Sequence, residues 1–199
     1  PFIDEVPLPH FFGSGLVVSI PKKKWESITG DDLEKACGHA IRPGDVLIIN
    51  TGWHKEYEDG DYFAYCPGLV QSAADWMVEK GVKVVGHDTQ ANDHPLATAI
   101  GPQRNGPILP HLEKEYFEWS GGRDWKDDFP EWEPVHNTLF SNGILGIENV
   151  GGDLDSVTGK RVTFAFFPWN WDRGDGCIIR LVAMMDKKQA YRIEDGSEF

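Results

Sequence analysis

The sequence predicts an α/β protein with a mixed central sheet, and three observations support this prediction. GLVVSI and DVLIIN are short β-branched runs bounded by Gly and Pro, as in buried strands. The segment PGLVQSAADWMVEKGVKVVGHD predicts a helix and then another strand, so a strand, helix, strand unit with parallel pairing is expected. Near the end of the chain, RVTFAFFPW and CIIRLVAMM predict an antiparallel hairpin that completes the sheet.

The helices are predicted from capping residues and apolar spacing. Thr29 precedes GDDLEKAC, whose acidic first turn interacts favourably with the helix dipole. In the next helix, apolar residues recur at helical spacing and Gly81 is expected to end it. A single domain over residues 1–195 is expected, and the terminal GSEF at 196–199 is interpreted as a cloning scar.

Composition narrows the classes of function. With 199 residues and 40% hydrophobic content the chain can bury a sizeable core, and no run approaches the ~20 apolar residues that span a bilayer. The formal charge of −13 disfavours nucleic acid and anionic membranes as partners. Cys37, Cys66 and Cys177 are widely separated and odd in number, which favours a reducing cytoplasm over a disulfide framework. Cys66 has no flanking His or Asp motif and is expected to be an inert thiol.

Residues from about Gly101 to Pro134 are predicted to form a long loop, because Gly and Pro punctuate the segment. Such a loop in a compact domain usually serves as a lid, a binding loop or an interface. Trp119, Trp125 and Trp132 are therefore candidates for the wall of a substrate pocket. Packing against a neighbouring subunit explains them about as well, and a homodimer or larger homo-oligomer is expected.

The pair His136 and Glu148 is the most informative functional feature. The two residues flank HNTLFSNGILGIE, where an imidazole and a carboxylate on either side of a Gly-centred turn can converge on one metal ion. This pair of ligand types suits Zn²⁺ or Mn²⁺. A catalytic metal usually takes at least three protein ligands and an open water position, so further ligands must come from elsewhere.

GHDTQANDHP is the densest cluster of other candidate groups. Asp88 ends a predicted strand, where it orients either a ligand or the turn carrying Asp93, or caps an Asx turn. His94 precedes Pro95 and is a pocket candidate in extended or turn geometry. Asp88, Asp93 and His94 are therefore the candidate catalytic residues, with a structural role as the alternative for each.

Three segments in order, RPGDVLIINTGW, CPGLVQSAADWMVEKGVKVVGHDTQAND and HNTLFSNGILGIENV, resemble the metal-dependent cyclase family. This family includes bacterial kynurenine formamidases, isatin hydrolases and related lactamases, and the resemblance extends from about Phe2 to about Met185. It implies a swivelling β/β/α fold, homo-oligomers, and a hydrolytic water held by one or two metal ions. By this resemblance, His136 and Glu148 fall on metal ligands from the later part of the domain.

The chain departs from the family at its H-x-G-T-H-x-D run, which supplies other ligands and a proton-transfer group and is absent from the sequence. We expect the chain to be the carboxy-terminal portion of a longer protein, with a degenerate member that has lost its site as the alternative. The expected reaction is hydrolysis of an amide C–N bond, in a cyclic amide or aryl formamide, by a metal-bound water. A lactone or ester hydrolase and a non-catalytic small-molecule-binding module are the alternatives.

Overall fold

The computed structural model describes residues 2–101 and 109–186, so the expected cloning scar at 196–199 lies outside the described residues. The strands are β1 Phe12–Ser19, β2 Ser27–Ile28, β3 Val46–Asn50, β4 Gly68–Leu69, β5 Val84–His87, β6 Leu145–Ile147, β7 Arg161–Ala165 and β8 Val182–Met184. The α-helices are α1 Gly30–Cys37, α2 Tyr62–Tyr65, α3 Gln71–Lys80, α4 Leu112–Trp119, α5 Trp125–Asp128, α6 Pro134–Ser141 and α7 Leu154–Val157.

Six strands form a mixed sheet in the order β6-β5-β3-β1-β7-β8, which confirms the predicted α/β class. The strands from β6 to β1 pair in parallel, whereas β7 pairs antiparallel with both β1 and β8. The pairing of β7 with β8 confirms the predicted hairpin, although β8 has only three residues. Because β3, β5 and β6 are parallel, their carboxyl ends meet at one edge of the sheet, where α/β folds place ligands.

The sheet is covered on both faces, which explains the uninterrupted apolar sequences of its strands. Successive side chains of a strand point to opposite faces. In β3, Leu47 and Ile49 therefore pack with Met77 of α3 and Leu139 of α6. Ile48 belongs to the cluster on the other face. Among the described residues, no helix is long and apolar enough to cross a membrane.

Both predicted helix boundaries are confirmed. The Thr29 side chain accepts a hydrogen bond from the backbone N–H of Asp32, and the Asp32 carboxylate reciprocates at the backbone of Thr29, which forms a capping box for α1. Gly81 follows α3 with a φ of 67°, a left-handed conformation that glycine adopts without the steric cost of a side chain.

The predicted long loop over 101–134 is wrong for its described part, which contains α4 and α5. Helix α4 buries Leu112 and Tyr116, four residues apart, and pairs Lys114 with Glu118 on its exposed side. In the described part of this segment, Gly and Pro residues lie between short helices and do not form one irregular loop. The segment between His136 and Glu148 is likewise more than a turn, because it comprises most of α6, a turn and β6.

Candidate metal centre

Helix α6 presents His136 in its first turn, and Asp93 fixes the orientation of the ring. The Asp93 carboxylate is fully buried and accepts hydrogen bonds from the backbone N–H groups of Val135 at 2.8 Å and His136 at 2.9 Å. These are first-turn donors, which have no partner inside a helix. Asp93 also lies 2.6 Å from His136 Nδ1. The same carboxylate therefore caps α6 and directs the other ring nitrogen, Nε2, away from itself.

The structure brings His136 Nε2 and Glu148 together. The distance from Nε2 to Glu148 Oε1 is 3.3 Å. Glu148 follows directly after β6, and the same oxygen accepts hydrogen bonds from the backbone N–H of Asn92 at 3.1 Å and from Asn92 Nδ2 at 3.3 Å. Asp93, His136 and Glu148, called here the His136 array, thus bring an imidazole and a carboxylate together at the carboxyl edge of the sheet.

The contact between His136 and Glu148 shifts the pKa values of the two side chains in opposite directions. Burial alone would lower the pKa of His136, but its hydrogen bonds to Asp93 and Glu148 outweigh burial and raise the pKa to about 10. Burial would also raise the pKa of Glu148, yet the hydrogen bond from His136 holds it below its usual value. The pair therefore carries opposite charges at neutral pH, and a cation that binds Nε2 must displace a proton.

Asn92 connects the His136 array to buried His87. Asn92 Nδ2 donates to Glu148, so its Oδ1 is the acceptor for His87 Nε2 at 2.9 Å. His87 Nε2 therefore carries the hydrogen, and its Nδ1 accepts from the Thr89 hydroxyl at 2.7 Å. Burial lowers the pKa of His87, which favours this neutral form. Asn92 lies within the GHDTQANDHP cluster but is not among the candidate residues that the sequence predicted.

The donors of the His136 array fit part of a metal shell. Ligating histidines usually donate their other ring N–H to a carboxylate, as His136 does to Asp93. An imidazole nitrogen and a carboxylate oxygen suit Zn²⁺ or Mn²⁺. Within residues 2–101 and 109–186, no three His, Cys, Asp or Glu side chains are grouped so that they could hold a metal ion. At this site the described residues therefore offer two donors, His136 Nε2 and Glu148, and a complete shell requires others.

Asp88 does not contact His136 or Glu148 in this arrangement. Its buried carboxylate accepts hydrogen bonds from the backbone N–H groups of Thr51, Gly52 and His54 and from the Thr51 hydroxyl, and it lies 2.9 Å from His54 Nδ1. Asp88 therefore orders the turn that follows β3. The predicted link from Asp88 to the turn that carries Asp93 is absent from these contacts.

His94 is fully buried, and both of its ring nitrogens are occupied. Nδ1 accepts a hydrogen bond from the Leu96 backbone, so Nε2 donates to the Trp25 carbonyl at 3.0 Å. The ring stacks on Phe129 with centroids 4.1 Å apart. Burial lowers the pKa of His94 to about 4. These contacts support the structural alternative for His94, although the side chain also borders a cavity of about 270 Å³.

The three candidate tryptophans have different environments. Trp119 is 43% exposed and lines a cavity of about 380 Å³ together with Trp25 and Tyr116. Trp125 is buried in the cluster that contains Trp25 and Tyr116. The carbonyl of Trp132 accepts a hydrogen bond from Asn137 of α6. None of these contacts joins a tryptophan to His136 or Glu148.

Cys66 fits the inert role expected from the sequence. It is fully buried, and burial raises the pKa of the thiol to about 12. A thiol with that pKa is almost entirely protonated at neutral pH and is a poor nucleophile.

Comparison with known proteins supports the resemblance found in the sequence. Residues 1–94 match the family model described as "Putative cyclase". A search of curated proteins gave no significant match.

Several solved structures share the fold. An isatin hydrolase bound to the product analogue thioisatinate superposes with a TM-score of 0.68 at 20% identity, over 94% of this chain and 64% of that one. Isatin hydrolase A from Ralstonia solanacearum gives 0.66 at 18% identity, over 92% and 63% of the two chains. A potential metal-dependent hydrolase with cyclase activity gives 0.58 at 21% identity, over 90% and 68%.

The chain spans slightly less than two thirds of the length of the two isatin hydrolases. Residues 1–94 therefore resemble the cyclase family in sequence, and the described residues share the fold of an isatin hydrolase and of a potential metal-dependent hydrolase.

Proposed function

We propose that this chain forms part of a metal-dependent hydrolase that cleaves an amide C–N bond in a cyclic amide or an aryl formamide. The observation that carries the proposal is the His136 array, in which a buried carboxylate orients an imidazole whose free edge faces a second carboxylate 3.3 Å away. The cyclase-family match and the fold shared with isatin hydrolases and a potential metal-dependent hydrolase support it.

Each residue of the site has a defined part in this proposal. His136 Nε2 and Glu148 hold a divalent Zn²⁺ or Mn²⁺ ion, Asp93 keeps the imidazole in the ligating tautomer, and Asn92 keeps the Glu148 carboxylate in place. When bound, such an ion polarises a carbonyl and lowers the pKa of water to about 7, which supplies a nucleophile at neutral pH. Because His136 must lose a proton to ligate, metal affinity should rise with pH below the raised pKa of His136.

Substitution of the ligands tests the assignment. His136→Ala and Glu148→Gln should each reduce bound metal at least about tenfold and abolish any hydrolysis by the loaded protein, because each removes one donor from an already sparse shell. Elemental analysis of the purified variants measures the metal, and circular dichroism verifies folding. His111→Ala is the control, since His111 is half exposed and lies outside the array. Unchanged metal content in both ligand variants would refute the assignment.

A substrate panel separates the reaction classes. Cyclic amides and aryl formamides should be hydrolysed in preference to lactones and esters, which are the alternative substrates for the same chemistry. A non-catalytic binding module is the second candidate function, and the cavity walled by Trp25, Tyr116 and Trp119 favours it. Ligand binding with Trp fluorescence quenching, without turnover of any panel member, would select the module.

We also propose that the protein forms a homodimer or larger homo-oligomer in the cytoplasm. Trp119 and Phe117 of α4 are 43% and 53% exposed, and large aromatic residues are enriched in subunit interfaces. The free cysteines Cys37, Cys66 and Cys177 are compatible with a reducing compartment. Light scattering at micromolar concentration should give at least twice the mass of the chain, and Trp119→Ser should shift the distribution towards monomer. A monomeric wild-type protein would contradict this proposal.

A further inference from the structure

A second arrangement of the same kind lies at the carboxyl ends of β3 and β5. The buried Asp88 carboxylate accepts a hydrogen bond from the His54 backbone N–H at 3.2 Å and lies 2.9 Å from His54 Nδ1. The other ring nitrogen, Nε2, lies 3.6 Å from Asp155 Oδ1. Asp88, His54 and Asp155, called here the His54 array, therefore repeat the geometry of the His136 array with none of its residues.

Asp155 is held in this position by β3. Asn50, at the end of β3, donates from Nδ2 to Asp155 Oδ1 at 2.9 Å and to the Thr158 hydroxyl at 2.8 Å. The hydrogen bond from Asn50 and the ion pair with Lys55 lower the pKa of Asp155, so the carboxylate is ionised at neutral pH. A negative oxygen therefore faces the free edge of the imidazole.

His54 Nε2 is available to a ligand. A carboxylate beside Nδ1 keeps the ring hydrogen on that nitrogen, so a neutral imidazole carries its lone pair on Nε2. Within residues 2–101 and 109–186, Nε2 makes no hydrogen bond, and its charged neighbour is Asp155 at 3.6 Å. The His54 side chain is only 12% exposed, and its Nδ1 contact with Asp88 fixes the orientation of the ring.

We propose that His54 Nε2 and the Asp155 carboxylate bind one divalent transition-metal ion of the Zn²⁺ type, with water completing the shell. Imidazole and carboxylate are ligands for this class of ion, and Asp88 supplies the outer carboxylate that orients a ligating histidine. Lys55 is the competing cation, because its ammonium lies 3.1 Å from Asp155 Oδ2. The Lys55 side chain is 60% exposed and can swing into solvent when the ion binds.

Imidazole NMR with Zn²⁺ as the probe tests this site on the whole chain. Long-range ¹H–¹⁵N correlation spectra resolve each histidine, so the response of His54 is read separately from that of His136. Zn²⁺ should shift the Nε2 resonance of His54 while Nδ1 keeps its proton. This result does not depend on the proposed hydrolase function, because failure at His136 would leave the His54 signal unaffected.

Three variants define the ligands. Asp155→Asn should weaken Zn²⁺ binding at His54 about tenfold or more, which is the scale of losses from perturbed metal sites. Lys55→Met removes the competing cation and should tighten binding by about two- to fivefold, the range of an exposed ion pair. His111→Gln is the matched control, since His111 lies 3.9 Å from Glu115 but is half exposed and sits just before α4. It should leave binding at His54 unchanged.

An Nε2 resonance of His54 that does not move with Zn²⁺ would overturn the proposal. So would equal Zn²⁺ affinities in the wild type, Asp155→Asn and Lys55→Met, because both substitutions alter groups that touch the proposed ion. Both variants change side chains at the surface, and circular dichroism of each confirms that the fold is retained.

Discussion

The His136 array and the His54 array each consist of an orienting aspartate, a histidine and a carboxylate that faces the Nε2 atom of the histidine. The two arrays differ in how deeply this last carboxylate is buried. In each, a fully buried aspartate holds the backbone N–H and Nδ1 of a histidine. The carboxylate that faces Nε2 is 33% exposed in Glu148 and 59% exposed in Asp155, and Asp155 also pairs with a lysine. Because Glu148 is more buried, His136 and Glu148 interact strongly. The more exposed pair of His54 and Asp155 interacts weakly, so a cation from solvent can bind between them.

The largest effect should come from the two aspartates that orient the rings. Asp88→Ala and Asp93→Ala should each lower the free energy of unfolding by about 3–5 kcal/mol, because buried donors lose a charged acceptor. Asp88→Ala should lower the free energy of unfolding more than Asp93→Ala, since Asp88 accepts backbone hydrogen bonds from Thr51, Gly52 and His54. Urea unfolding measures both. Asp75→Ala, at an exposed position on α3, should change stability by less than about 0.5 kcal/mol.

A reversed order, with Asp93→Ala more damaging than Asp88→Ala, would break the comparison. It would mean that the start of α6 depends on its cap more than the turn after β3 depends on Asp88.

His94 extends the comparison, because its buried ring is hydrogen-bonded to backbone groups of Trp25 and Leu96 and not to a carboxylate. Its pKa is about 4 in the folded protein against about 6.5 in an unfolded chain, so between these values the unfolded state takes up the proton first. The stability linked to the neutral ring is complete above pH 6.5, declines as the pH falls, and is lost by about pH 4. The total loss is roughly 3 kcal/mol.

The pH dependence of His94 is measured by urea unfolding at several pH values in the wild type and in His94→Gln. The variant should show a shallower loss of stability between pH 6.5 and 4, whatever its absolute stability. Equal slopes in the two proteins, or an NMR titration of the His94 ring near pH 6.5, would contradict the prediction.

A smaller effect should distinguish the two arrays directly. A methyl group added at Gly146 of β6 would overlap Asn92 Nδ2, the group that holds Glu148. Gly146→Ala should cost about 1–3 kcal/mol and weaken metal binding at His136, while the imidazole signals of His54 stay unchanged. Gly151→Ala is the control, since nothing lies within 4 Å of its added carbon. Equal losses at both histidines would indicate global rather than local damage.

The sequence predicted contacts between residues that are close in the chain, but not contacts between residues that are far apart in it. His136 lies on α6 and Glu148 directly after β6, the next element, so their proximity follows from short-range spacing. Asp93 is 43 residues from His136 and Asp88 is 34 residues from His54, and only the packing of α6 and of the turn after β3 against the end of β5 brings these groups together. The helices α4 and α5 were missed because frequent Gly and Pro outweighed the short helical pattern.

The hydrogen bonds that hold Glu148 and Asp155 join segments far apart in the chain, which has a consequence for the order of folding. Asn92 and Glu148 are 56 residues apart, and Asn50 and Asp155 are 105 residues apart, so both pairs form only after distant segments have docked. Contacts of this kind require long loops to close before the contacts can stabilise the chain, and they form slowly. A metal ion that binds the finished geometry stabilises only the native state, by RT ln(1 + [metal]/Kd). Metal supply would then change the free energy of unfolding of the chain as well as its chemistry.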